Sequence, residues 1–170
     1  MVTAELAHRA SLSFKNHKAG ASVAEGRSGS SGPRLILANP HTFMNVSGGP
    51  VAALLRFYKI DPAQLIVLHD ELDIPFDSIK LKRGGGHGGH NGVRDIIAAT
   101  GTPDFLRVRI GIGRPPGRQP AADFVLRDFG ADERSVLPNL LSDAADATEL
   151  IASQGLVAAQ LKVHTAPDKS

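Results

Sequence analysis

The 170-residue chain is long enough for one domain with a single buried core. Apolar residues at 42% and charged residues at 21% suit a globular protein, and a net charge of only +2 means that any affinity for nucleic acid must come from how charge is arranged. The absence of cysteine excludes disulfides, thiolate catalysis and Cys-based zinc sites; no apolar run approaches the ~18 residues of a membrane span and no signal-peptide pattern opens the chain, so a cytoplasmic protein is expected.

Residues 2–9 read as the end of an amphipathic helix with no cap and no strand ahead of it. An α/β domain rarely opens in mid-helix, so a preceding segment is expected to be missing. The Ser/Gly-rich stretch 26–32 reads as a hairpin loop. Leu-Ile-Leu-Ala at 35–38 and Leu-Ile-Val-Leu at 65–68 are short apolar runs that suit strands buried on both faces. Between them Val51, Leu54, Leu55 and Tyr58 fall at helical spacing, and Asp61-Pro62 marks a turn. Strand, helix and strand in this order make the unit of a parallel α/β sheet.

A strand-like segment over 78–82 leads into a glycine run, a helix over about 93–100 and Gly101, placed to end it. Over 105–112 Val108, Ile110 and Ile112 alternate with Arg107 and Arg109, which predicts another strand. A Pro/Gly/Arg loop covers 113–120, and the last long element is a helix over about 132–153. Leu137, Leu140, Leu141, Ala144, Thr148 and Ile151 share one face of it. Pro138 in its early part predicts a bend or a later start. Residues 164–170 are expected to be a frayed tail.

Four segments carry candidate chemistry. Asp70, Glu71 and Asp73 follow a buried strand at its carboxyl end, where ligand sites of open α/β sheets gather. Such a carboxylate can orient a histidine, act as a base or bind a metal; a solvated acidic turn is the alternative. Residues 84–92 hold six glycines, His87, His90 and Asn91 ahead of a helix, a pattern that lets backbone N–H groups approach a ligand. No Lys-Ser/Thr follows, so this is not a Walker A loop, and Asn91 can also serve as a helix N-cap. Lys80 with Lys82, and Arg107 with Arg109, each fall on one face of a strand. From 80 to 118 eight Lys/Arg face two acids, so a nearly neutral chain conceals a basic segment suited to a phosphate-bearing partner. In residues 42–48 Ser47 is a candidate N-cap, and Phe43 and Met44 are candidates for the core.

In order and spacing, Thr-Phe-Met-Asn-Val-Ser-Gly at 42–48, His-Asp-Glu-Leu-Asp-Ile-Pro at 69–75, the glycine-histidine run at 84–92 and Arg-Val-Arg-Ile-Gly-Ile-Gly at 107–113 resemble the bacterial-type peptidyl-tRNA hydrolase family. The likeness runs from Met1 to about His164. It implies a single α/β domain over residues 1–163, a three-layer sandwich with a mixed, mainly parallel sheet between helices. It also implies a monomer, with no cofactor, no metal and no membrane association, that cleaves the ester joining a peptide to the 3′ end of tRNA and so recycles tRNA for translation. In that family a histidine base assists the attacking water, and the resemblance makes Asp70 the aspartate that holds it. Asn45 and Asn91 match the asparagines that position water and peptidyl substrate. Phe43 matches a cleft-lining residue, His90 adjoins the site, and Lys82 and Arg109 match the cations of a tRNA 5′-phosphate clamp. Residues 113–128 resemble a mobile lid.

The family's first strand, its Gly-Asn-Pro-Gly turn and its Arg-His-Asn segment have no counterpart here, and none of the seven histidines aligns with the base. Impaired hydrolysis is therefore expected of this chain. Two other readings stay open: a non-catalytic tRNA-binding remnant, and a metal hydrolase using Asp70, Glu71, Asp73, His87 and His90. For the latter, the glycine-separated histidines lack the usual ligand spacing.

Overall fold

The computed structural model describes residues 1–164. In chain order the elements are α1 (Val2–Arg9), β1 (Lys15–His17), β2 (Ala21–Arg27), β3 (Arg34–Pro40), α2 (Gly48–Tyr58), β4 (Ile66–Glu71), β5 (Ile79–Arg83), α3 (Asn91–Thr100), β6 (Leu106–Gly111), α4 (Ala121–Val125), α5 (Ala131–Gln154) and α6 (Leu156–His164). Short 3-10 turns occupy Met44–Val46 and Pro62–Gln64. The chain is α/β, with two three-stranded sheets, β1-β2-β3 and β4-β6-β5, accompanied by helices. It separates into two compact units: residues 3–67 with 83–106, and residues 68–82 with 107 onward.

In the first unit β1, β2 and β3 form an antiparallel meander, in register from Lys15↔Val23 to Arg27↔Arg34. The Ser/Gly-rich hairpin loop is present as expected. It also explains why β3 is not the parallel, doubly buried strand its apolar run suggested. A tight turn makes β2 its antiparallel neighbour, and burial alternates, with Leu35 and Leu37 buried and Ile36 and Ala38 half-buried. Leu54 of α2 packs on Ala21 and Val23, with Ile36, Ala38 and Tyr58 around them. A second cluster, Val93, Ile96 and Phe105, joins α3 to Val51 of α2 and to Leu65 and Val67. Gly101 ends α3 in the left-handed conformation, as its position predicted.

The second sheet is mixed. The Leu106 N–H donates to the Leu65 carbonyl and the Ile112 N–H to that of Glu71, so β4 and β6 advance in the same direction. The Gly84 N–H donates to Phe105 and the Gly111 N–H to Ser78, so β5 runs against β6. The pairing is thus less parallel than expected, since β3 is committed to its hairpin. Gly111 lets the strand end closely against the backbone of Ile74 and Pro75, whose carbonyl oxygen a Cβ would strike.

Helix α5 begins at Ala131 and continues through Pro138, so the later start is not adopted. Its buried face holds Leu140, Ala144, Thr148 and Ile151, four of the six residues assigned to it from spacing. Its N-terminus is tied by Glu133, which accepts from the Gly130 N–H at 2.7 Å and pairs with Arg127 at 2.6 Å. Helix α6 was not anticipated, and His164, assigned to the tail, is its last residue. The rest of that predicted tail, 165–170, lies outside the described residues. Among the described residues no helix is long and apolar enough to cross a membrane.

Candidate functional site

The first unit brings the 42–48 and 84–92 motifs together. The 3-10 turn Met44–Val46 lies against the start of α3: a Cβ on the buried Gly92 would approach the Met44 side chain at 2.9 Å and its carbonyl oxygen at 3.0 Å. A second tie is the Asp95 carboxylate, which accepts from the Gly48 N–H at 2.7 Å. Ser47 is therefore not a side-chain cap. It stands at the N-cap position of α2 in a helical conformation, and its Oγ donates to the Met44 carbonyl while Asp95 takes the helix's N–H. Sequence reasoning missed Asp95, whose acid sits on the outer face of a predicted helix with no sequence-local partner.

Asn91 is not the cap of α3 either. His90 holds that position, and its Nδ1 accepts from the Val93 N–H at 3.1 Å. Asn91 is thus the first helical residue, and its side chain is exposed. Phe43 and Met44, candidates for the core, lie at the surface with 86% and 44% exposure, and Asn45 between Met44 and Val46 is exposed as well. An exposed apolar strip carrying an amide is unusual for a merely structural turn. The glycine run has a conformational reason: Gly84, Gly85, Gly88 and Gly89 all adopt positive φ, where a Cβ is strained. His87 serves the same loop by accepting from the Gly89 N–H at 3.0 Å.

In the second unit the acidic stretch is not a turn beyond the strand. His69, Asp70 and Glu71 are the last residues of β4, held there by the continued ladder to β6. His69 is buried, and its Nδ1 lies 2.7 Å from the Asp70 carbonyl oxygen. Asp70 and Glu71 are half-buried, whereas Asp73 is exposed and paired with Arg114 at 2.6 Å. Among the described residues no three His, Cys, Asp or Glu side chains are grouped to hold a metal ion.

The cations separate into two kinds. Arg83 and Arg114 have acidic neighbours in Asp104 and Asp73. Lys82 and Arg109, by contrast, are half-buried among other cations. Burial pushes the Lys82 ammonium below the usual lysine range; Arg109 and then Arg107 add to this, and Glu71 opposes it. The Nε of Arg109 is buried without a hydrogen-bond partner among the described residues. Alternation placed Arg107 with Arg109 on one face of a strand, as part of a cationic surface; the structure buries Arg107 to 1% exposure. Its burial was not legible, because a strand's pattern shows which face a residue takes but not what covers that face.

The sequence model of the family described as peptidyl-tRNA hydrolase matches residues 1–170. Peptidyl-tRNA hydrolases of Leifsonia xyli subsp. xyli and Arthrobacter sp. are 63% and 61% identical over 166 residues, covering 98% of this chain and 86% of each relative. The crystal structure of peptidyl-tRNA hydrolase from Acinetobacter baumannii is similar with a TM-score of 0.88 at 33% identity, over 96% of this chain and 83% of that one.

Proposed function

We propose for this chain, which belongs to the peptidyl-tRNA hydrolase family, the family's reaction: water attacks the carbonyl carbon of the ester between peptide and tRNA, and the ribose oxygen leaves with a proton. The observation that carries this reading is that Lys82 and Arg109, half-buried and acting on one another, lie on the same sheet as Asp70, which stands next to the end of β4. Phosphate contacts supply most of the affinity for a nucleic acid, and half-buried cations hold them more firmly than solvated ones. By motif, Lys82 and Arg109 clamp the 5′-phosphate, Asp70 orients a histidine base, Asn45 and Asn91 position water and peptidyl substrate, and Phe43 lines the cleft beside His90. Residues 113–128, which include α4, form a lid. Residues 1–163 act as one domain of a cytoplasmic monomer.

The base itself is the weak point. Six of the seven histidines are hydrogen-bonded to neighbouring groups: His17 to the Ala19 N–H, His41 to Ser22, His69 to Asp70, His87 and His90 within their own loop, and His164 to the Leu81 N–H. By motif none of the seven histidines is the base, and we propose that residues 1–170 bind peptidyl-tRNA yet hydrolyse its ester slowly, which joins the hydrolase and tRNA-binding readings in one chain. The clamp is tested by tRNA binding across a salt series. Lys82→Ala or Arg109→Ala should each weaken binding and reduce the slope of log K against log salt by about one. An unchanged slope in both variants would remove these residues from the interface.

A further inference from the structure

The end of α2 in the first unit presents an aromatic ring among cations. Arg56, Phe57 and Lys59 are exposed there, and Phe57 keeps 50% of its surface in solvent. Two neighbouring rings fix its position. His17, the last residue of β1, packs against it at nearly a right angle with ring centres 4.5 Å apart, and Tyr58 does the same at 4.8 Å. The Lys18 ammonium lies over the Phe57 ring, 5.1 Å from its centre. Glu25, which reaches this group, is already engaged, accepting from the Tyr58 hydroxyl at 2.7 Å and from Arg34 at 2.9 Å. Lys18, Arg56 and Lys59 have no acidic partner among the described residues. Lys59 adds an independent observation: it ends α2 in the left-handed conformation, φ 54° and ψ 47°. Glycine takes that place without the crowding a Cβ brings, so capping alone does not explain an exposed lysine there. Gain from the helix dipole is the structural alternative.

A fixed, exposed ring ringed by unpaired cations is the combination that holds single-stranded nucleic acid, the ring taking a base and the cations its phosphates. A base stacks on such a ring more strongly than an exposed ammonium does. It therefore displaces Lys18 and leaves the ammonium for an adjacent phosphate. An acidic peptide would use the cations and leave the ring idle. We propose that Phe57, with Lys18, Arg56 and Lys59, holds unpaired nucleotides of the tRNA substrate. The inference rests on tRNA as the substrate but not on Lys82 and Arg109, which belong to the other unit.

The probe is octaadenylate without a 5′-phosphate, and the reporter is built in: Tyr58 is the single tyrosine of a chain without tryptophan. Octaadenylate should quench its emission, and octaglutamate should compete poorly. Phe57→Ala should lower affinity for the oligonucleotide about tenfold and weaken tRNA binding without changing any preference for a 5′-phosphate; Phe57→Tyr should retain affinity. Lys59→Gly should leave the melting temperature unchanged or raised, yet reduce the slope of log K against log salt for octaadenylate by about 0.7. It decides the matter if Phe57→Ala does not fold. Unmoved Tyr58 emission, equal competition by octaglutamate, or full affinity in Phe57→Ala would overturn the proposal. So would an unchanged salt slope in Lys59→Gly, or a Phe57→Ala effect on the oligonucleotide but not on tRNA. If Lys82→Ala and Arg109→Ala leave tRNA binding intact while Phe57→Ala weakens it, the clamp fails and this contact stands. Absence of tRNA binding by the unsubstituted chain would remove both.

Discussion

At Gly92 the start of α3 and the Met44 turn come so close that a methyl group has no place to go. A Cβ there would lie 2.9–3.0 Å from Met44 Cγ, His90 Cε1 and the Met44 carbonyl oxygen. The side-chain atoms can yield; the carbonyl belongs to the backbone that presents Asn45. Alanine normally improves a helix by ~1 kcal/mol over glycine, so the sign of the effect is diagnostic. Gly92→Ala should destabilise by about 1–3 kcal/mol in denaturant unfolding, whereas Gly86→Ala, whose Cβ meets nothing within 4 Å, should stay within ~0.5 kcal/mol. Equal behaviour of the two would mean that the turn and α3 are not in close contact. His90 shows how a motif residue can carry a structural duty: its Nδ1 caps α3, which fixes the ring beside Asn91.

Among the elements, α6 has a duty that its sequence conceals. β5 is an edge strand, and its Leu81 backbone groups point away from β6. Gln160 donates to the Leu81 carbonyl, and His164 Nε2 accepts from the Leu81 N–H, each at 3.0 Å, so side chains finish the edge where another strand would aggregate. Accepting that bond requires a neutral ring. Partial burial, then Lys80 and Arg109, hold His164 below its ordinary value of 6.5. The unfolded chain therefore takes up the proton first as pH falls. The stabilisation is fully present above the ordinary value and is lost as pH drops from there through the folded value. Protection of the Leu81 amide against hydrogen exchange should be greater at about pH 7.5 than at about pH 5, after correction for intrinsic rates. In His164→Ala that difference should vanish. Protection independent of pH in the unsubstituted chain would mean the ring does not hold the strand. This helix escaped sequence reading because Leu156 to Ala159 is a continuous apolar run without alternation, and Val157 and Leu161 remain exposed.

For the whole molecule, the near balance of charge is a sum over unlike regions, with the cations over 80–118 partly paired and partly crowded. Binding and chemistry should therefore be separable. Lys82→Ala and Arg109→Ala should weaken tRNA binding, whereas Asp70→Asn should lower the rate of hydrolysis of N-acetylated aminoacyl-tRNA with tRNA affinity retained, since an unoriented imidazole is a poorer base. EDTA should not change the rate. An Asp70→Asn rate equal to that of the unsubstituted chain would remove the carboxylate from the mechanism, and inhibition by EDTA would point to a metal.

Periodicity and motif order were enough to assign the family and to place α2, α3, α5, β4, β5 and β6 within a few residues, because helical spacing, strand alternation and glycine punctuation are local properties of the chain. What lay beyond them depended on contacts between distant residues. The pairing of β3 with β2, the capping of α3 by His90, the tie from Asp95 to Gly48, the closing of the β5 edge by α6 and the burial of Arg107 are all decided by which surfaces meet. A residue's neighbours in sequence determine the conformation it can adopt, but its exposure and hydrogen-bond partners are set by whatever packs over it.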